Sequence, residues 1–148
     1  MALFDPKAFV ESTVEGTIST EKKLIPAGEY TAFVEAINAS GGLGGPNKDK
    51  AWARLDLTWN IDSPELRDQL HRAKIVLTQG VMLDLDEEGA FDTREGKNVQ
   101  LGRLLAVFGL NTGTFQPRSL VGQFGKIRVE YETYKDTVQE KIKAVTKA

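Results

Sequence analysis

The sequence predicts a mainly β protein: a five-stranded Greek-key barrel with one helix between its third and fourth strands. Three observations carry this. Ala51–Ile61 alternates apolar and polar residues without a break, the period of a strand with one face in a core and one in water. A helical period is convincing at one place only, where Leu101, Leu104, Leu105 and Phe108 repeat at i, i+3, i+4 and i+7. Glycine- and proline-bearing breaks divide the rest into strand-sized pieces.

Residues 1–27 show little periodicity and end in the turn Ile25-Pro26-Ala27-Gly28. They read as an arm with one short helix near Pro6–Ser12, and residues 28–148 as the barrel domain. Glu29–Ile37, rich in aromatic and β-branched residues, reads as the first strand. Ser40–Lys50 holds Gly41, Gly42, Gly44, Gly45 and Pro46 and reads as a flexible loop belonging to neither neighbour. In Ala51–Ile61 the inward set is Ala51, Ala53, Leu55, Leu57, Trp59 and Ile61; the outward set is Trp52, Arg54, Asp56, Thr58 and Asn60. Ser63–His71 reads as a short helical or irregular connection. Ala73–Leu83 is the third strand, with Ile75 and Leu77 inward, Lys74, Val76 and Thr78 outward, and a bend at Gly80.

Asn98 is placed to cap the helix, its side chain accepting from first-turn amides, and Gly109 to stop it. Past a loop with Gly113, Pro117 and Gly122, Lys126–Tyr134 sets Ile127, Val129 and Tyr131 against Lys126, Arg128, Glu130 and Glu132. Val138–Val145 closes the fold with Ile142 and Ala144 inward and Lys141 and Lys143 outward. Strand, strand, strand, helix, strand, strand is the order of an OB-type barrel. Closure of that barrel removes exposed sheet edges. An open α+β sheet of the same elements is the alternative.

Composition narrows the function. The chain has 148 residues, 41% hydrophobic and 27% charged, so one ordinary core is within reach without a staple. It has no cysteine, which removes thiolate metal sites, redox pairs and cysteine nucleophiles together. No apolar run approaches the roughly 18 residues of a membrane span, and residues 1–20 lack the pattern of a secretory signal. The net charge of −2 hides an asymmetry. Asp84, Asp86, Glu87, Glu88, Asp92 and Glu95 stand against Arg94 alone in one acidic stretch, so the remainder of the chain is weakly basic.

Motifs for chemistry are weak. The glycine loop misses both phosphate-binding patterns, lacking G-x-x-x-x-G-K-[ST] spacing and a following helix. Asp84–Glu95 sets acids at positions 1, 3, 5, 9 and 12 of a calcium loop with Gly89 at 6. It carries Glu88 where a shorter acid is expected and follows a strand, so it reads as a solvated turn and no metal is assigned. His71 is the single histidine and sits without a serine or cysteine nucleophile pattern, so it reads as a surface or helix-end residue. No enzyme and no cofactor are expected.

What remains is an outward-facing set. Trp52 beside Arg54 makes a stacking platform for a base, with Lys74, Val76 and Thr78 alongside. Lys48 and Lys50 in the glycine loop, and Arg128, Lys141 and Lys143 on the last two strands, are placed to meet phosphates, and Tyr134 to add a second ring. In the competing arrangement, Trp52 packs beneath the arm or a partner subunit, and Arg54 pairs with Asp56 or another carboxylate.

Three stretches give this sequence a resemblance to a known family. They are Ile25-Pro26-Ala27-Gly28-Glu29-Tyr30; Leu83–Gly89 running on through Gly96-Lys97-Asn98-Val99-Gln100-Leu101-Gly102-Arg103-Leu104; and Leu120-Val121-Gly122 leading into Lys126-Ile127-Arg128-Val129. Over about residues 25–146 the chain resembles the small OB-fold single-stranded-DNA-binding proteins of tailed bacteriophages. The resemblance implies binding of single-stranded DNA with little sequence preference, in phage replication or recombination, in the cytoplasm of an infected bacterium. Many such proteins end in an acidic tail that recruits replication proteins, whereas this chain ends Lys141-Ile142-Lys143-Ala144-Val145-Thr146-Lys147-Ala148, so recruitment by that route is not expected. The alternative function is a structural or assembly module, a virion or tail component whose arm oligomerises through Phe4, Phe9 and Val10. A homo-oligomer fits either role.

Overall fold

Alternation over Ala51–Ile61 has the expected outcome. In the computed structural model, which describes residues 3–18, 23–44 and 50–148 (backbone only at 44 and 50), Lys50–Ile61 is a strand, β2. Leu55, Leu57, Trp59 and Ile61 are buried and the intervening residues face out. Its partner β1 runs Gly28–Gly44, far beyond the expected end at Ile37. Residues 40–44, expected to be loop, pair in register with 54–50 to make a long antiparallel hairpin. At Gly41 the pairing itself requires the missing side chain. A Cβ on Gly41 would lie 2.8 Å from the Trp52 carbonyl oxygen, and one on Gly42 3.6 Å from the Trp52 indole nitrogen.

The other elements follow in order. α1 spans Pro6–Glu11, its first amides accepted by the Asp5 carboxylate. α2 spans Pro64–Leu70, capped by Ser63, which accepts from the Leu66 amide, and closed by His71 in the left-handed region at φ 54°. β3 is Val76–Leu83, α3 Val99–Val107, β4 Phe124–Tyr134 and β5 Thr137–Lys147, with a 3₁₀ turn at Pro117–Leu120. Lys74, expected inside the third strand, lies just before it. β4 and β5 are joined by Lys135 and Asp136, both at positive φ, the conformation a two-residue hairpin turn requires.

The strands form one antiparallel sheet in the order β3-β2-β1-β4-β5. The sheet curls enough for its edges, β3 and β5, to approach each other, and α3 packs on both. No backbone ladder joins those edges among the described residues, so the expected closed barrel is here a curled, open five-stranded sheet. The fold is mainly β with a few short helices. No helix among the described residues is long and apolar enough to cross a membrane.

Two irregularities change which residues face out. β1 carries an extra residue at Glu35, between Val34 (opposite Trp59) and Ala36 (opposite Thr58). β5 carries one at Lys143, between Ile142 (opposite Val129) and Ala144 (opposite Arg128). Ala144, expected inward, is therefore exposed, and Val145 turns toward the core instead. The core gathers Trp59, Leu57 and Ile61 with Val34, Ile75, Val81, Ile127 and Val129, covered by Leu101, Leu104 and Leu105 of α3.

The arm also ends earlier than its sequence suggests. Ile25 is fully buried, and its carbonyl accepts from the Tyr131 hydroxyl at 2.8 Å. The Tyr30 hydroxyl donates to the Pro26 carbonyl, and Lys23 Nζ donates to the Gln69 carbonyl at 3.0 Å. Residues 23–27 are thus fastened to the sheet and α2, and burial raises the Tyr30 hydroxyl's pKa.

Asn98 is at the N-cap, as expected, but works differently. It sits in the left-handed region at φ 53°, and its side chain makes no bond to the helix's first amides. Instead Oδ1 accepts from the Asp84 amide at 2.8 Å, while Nδ2 donates to the carbonyls of Asp84 and Asp92 at 3.0 and 2.8 Å. Its own amide donates to Asp84 Oδ2 at 2.7 Å. One buried amide thereby clasps both ends of the acidic stretch to the start of α3. Asn98→Ala strands several of these groups and is expected to cost roughly 2–3 kcal/mol in urea unfolding, whereas Val99→Ala, at a neighbouring exposed site, stays within about 0.5 kcal/mol.

Candidate nucleic-acid interface

β2 places Trp52 on the outer face because seven residues separate it from the buried Trp59, and an odd spacing in a continuous strand reverses the side. The indole is 37% exposed and lies against Gly42 of β1. It is not roofed by the described residues of the arm. Next along the same face stands Arg54, opposite Met82 of β3, itself well exposed. Arg54 runs over Gly80, where a Cβ would meet its Cδ at 3.3 Å. Its Nε pairs with Asp56 Oδ1 at 3.0 Å, the carboxylate partner that the competing arrangement anticipated.

The other expected cations are similarly engaged. Lys74 pairs with Glu35 at 2.8 Å, Arg128 with Glu130 at 3.1 Å and Lys141 with Glu132 at 3.1 Å. The Lys74 hydrogen bond holds the Glu35 carboxyl below its usual range, with a further bond from Asn60. Lys143 is exposed at the β5 bulge and has no ion pair among the described residues. Tyr134 is exposed at the β4–β5 turn, with the Lys135 ammonium 5.3 Å from its ring centre. Lys48 and the Lys50 side chain lie outside the described residues.

These residues do not share one trough. Trp52 and Arg54 stand at the β1–β2 hairpin end. Lys74 lies near the opposite end of the same face, eight strand residues and about 26 Å away. Arg128, Lys141, Lys143 and Tyr134 occupy the β4–β5 half, where only Arg128 of the four lines a hollow with Glu29, Lys126, Ala144 and Thr146, and Tyr134 stands at the far end of the hairpin. The aromatic pair Phe33 and Phe124, neighbours on the outer face with ring centres 5.3 Å apart, was missed in the sequence. Phe33 lies in the expected first strand, whose sequence has no regular alternation to assign it a face. Phe124 precedes the expected start of the fourth, so no alternation was read through it.

The acidic stretch is a small hairpin. Asp86 donates its amide to the Ala90 carbonyl at 2.7 Å, Asp92 donates its amide to the Asp84 carbonyl at 3.0 Å, and Leu85 bridges Phe91. Its carboxylates are turned to local use: Asp86 Oδ1 accepts from the Glu88 and Ala90 amides, both at 2.9 Å, and Asp92 holds Arg94 through both oxygens. No group of three potential metal ligands converges among the described residues. Gly89 at its tip comes within contact distance of the Ala51 side chain, on the side of β2 opposite Trp52. Neither a protein-family model nor a curated protein matches this chain.

Arg94, hydrogen-bonded to Asp92 through side chain and backbone, lowers the Asp92 carboxyl to about 2. Because the folded value lies below the unfolded one, the unfolded chain takes up the proton first as pH falls. Stability from this pair is complete above about pH 4 and drains away toward pH 2. Asp92→Asn is expected to flatten the melting temperature against pH in that window, and an unchanged slope counts against the pair.

Proposed function

We propose that this protein is a non-enzymatic single-stranded-DNA-binding protein of phage replication or recombination, working in the host cytoplasm on an OB-like sheet. The strand order β3-β2-β1-β4-β5, the approach of β3 to β5 and the helix between β3 and β4 support the OB-like part. The observation that carries binding is the open indole of Trp52, laid on glycine backbone beside Arg54 and Met82. The indole's exposed side is where a base can stack.

Binding of this kind depends more on stacking than on phosphate capture. Four of the expected cations already have carboxylate partners. Exposed pairs are worth only about 0–1 kcal/mol, so Arg54 can trade Asp56 for a phosphate at little cost. Each trade brings a carboxylate closer to the strand, however, which keeps the number of phosphates neutralised small.

Two measurements test this. Trp52→Ala is expected to weaken oligo-dT binding by roughly 1–3 kcal/mol, while Trp59→Phe, at the buried ring, leaves it nearly unchanged in protein that remains folded. With two or three phosphates neutralised, the slope of log K against log salt is expected at about −1.4 to −2.1. Binding that ignores Trp52, or that favours duplex DNA, overturns the proposal.

A further inference from the structure

Residues 3–18 form a segment whose apolar side chains touch almost nothing. Leu3, Phe4, Phe9, Val10, Val14 and Ile18 are all at least half exposed, six large apolar groups in sixteen residues. Among the described residues their only aromatic contact is internal, Phe4 to Phe9 at 5.2 Å between ring centres. α1 hides none of its residues. Solvated apolar groups at this density are unusual unless something covers them.

A matching surface lies on the sheet. The outer-face row Val76, Asn60, Phe33, Phe124 crosses β3, β2, β1 and β4 in register. Phe124 is 52% exposed, and Val121 beside it is also exposed. Phe33 and Phe124 pack on each other and not in the core. The charges of the two surfaces are complementary. The segment carries Asp5, Glu11 and Glu15 against Lys7 alone. Beside the patch stand Arg118 in the turn before Val121 and Lys126 two residues beyond Phe124, neither in an ion pair among the described residues. Glu35, at the same end, is already neutralised by Lys74.

We infer that the N-terminal segment of one copy seats on the Phe33–Phe124 patch of a second copy. The two phenylalanines of the segment bring about 150–250 Å² each, so one seated arm makes an interface at the small, reversible end of the range. This inference does not rest on nucleic-acid binding. Its site is distinct from Trp52, about 26 Å along β2.

The test uses full-length chains without DNA, followed by sedimentation velocity over a wide concentration range. Wild type is expected to associate as concentration rises. The double variant Phe4→Ser, Phe9→Ser (arm disabled) and the variant Phe124→Ser (patch disabled) are each expected to associate at least tenfold more weakly, with unchanged far-ultraviolet circular dichroism. Mixing the two variants supplies one intact arm and one intact patch, and is expected to restore a one-to-one dimer that grows no further. Unfolding is thereby separated from loss of contact, since an unfolded variant cannot complement. A wild type that stays monomeric throughout overturns the inference, including the case where the arm folds back on its own patch. So does a mixture that fails to complement. If Phe124→Ser instead lowers oligo-dT affinity as Trp52→Ala does and leaves association intact, the patch belongs to nucleic acid and the inference is wrong.

Discussion

The Trp59 indole sets the arrangement of everything around it. It is fully buried, its nitrogen donates to Gln79 Oε1 of β3 at 3.0 Å, and its ring meets Phe108 past the end of α3 at 6.0 Å. On the other side it leaves no room on β4: a Cβ at Gly125 would stand 3.3 Å from its far edge. One side chain thus ties β2 to β3, to the end of α3 and to β4. A buried indole must also satisfy its N–H, which fixes the ring's direction as well as its depth. With Trp59 inward and no bulge recorded in β2, every even-numbered position from Trp52 to Asn60 faces out. The exposed tryptophan is a consequence of the buried one.

Where the chain obeys a simple period, the sequence was legible. β2 and the stripe of α3 needed only the spacing of their apolar residues. The failures share a cause, which is that a local signal had two physical meanings. Gly41 signals a loop when flexibility is assumed, yet its missing Cβ is what lets β1 lie flat against the Trp52 carbonyl. Asn98 signals a cap, and it occupies the cap position, but its left-handed backbone turns the amide away from the helix toward Asp84 and Asp92. Ala144 reads as inward by alternation, and one extra residue at Lys143 reverses it. A bulge leaves almost no trace in a single sequence, because nothing in the identity of Glu35 or Lys143 marks the residue as unpaired. Of the interface, the Trp52–Arg54 pair was legible from β2 alone, whereas the carboxylates that meet each cation come from register and packing.

Those carboxylates alter the balance of forces on the outer face. A weakly basic body suggests a cationic groove, but Arg54, Lys74, Arg128 and Lys141 are each matched by an acid: Arg54 and Arg128 by one on the same strand, Lys141 by one on the neighbouring strand, and Lys74, just before β3, by Glu35 of β1. The result is a face of mixed charge with exposed rings. Long-range attraction for a polyanion is small there, since opposite charges a few ångströms apart cancel beyond a Debye length. Short-range stacking is untouched by that cancellation. A ligand recognised by such a face is held mainly through flat apolar surface, and a single strand with unstacked bases offers more of it than a duplex does.

The same reasoning divides the face in two. At the Trp52 end, the ring lies beside a guanidinium paired with Asp56, surroundings that suit a polar ligand with a planar group. At the Phe33 end, two phenylalanines pack together with Val121 alongside, and the nearest cations, Lys126 and Arg118, are on the rim. A nucleotide gains from rings separated enough to admit a base; rings already in contact with each other, as at Phe33 and Phe124, present an apolar bump instead. Bumps of that kind suit aliphatic and phenyl side chains, which is what residues 3–18 hold out into solvent. β2 therefore displays Trp52 near one end and borders the Phe33–Phe124 pair at the other, two exposed apolar surfaces of different shape separated by the polar side chains of Arg54, Asp56, Thr58 and Asn60.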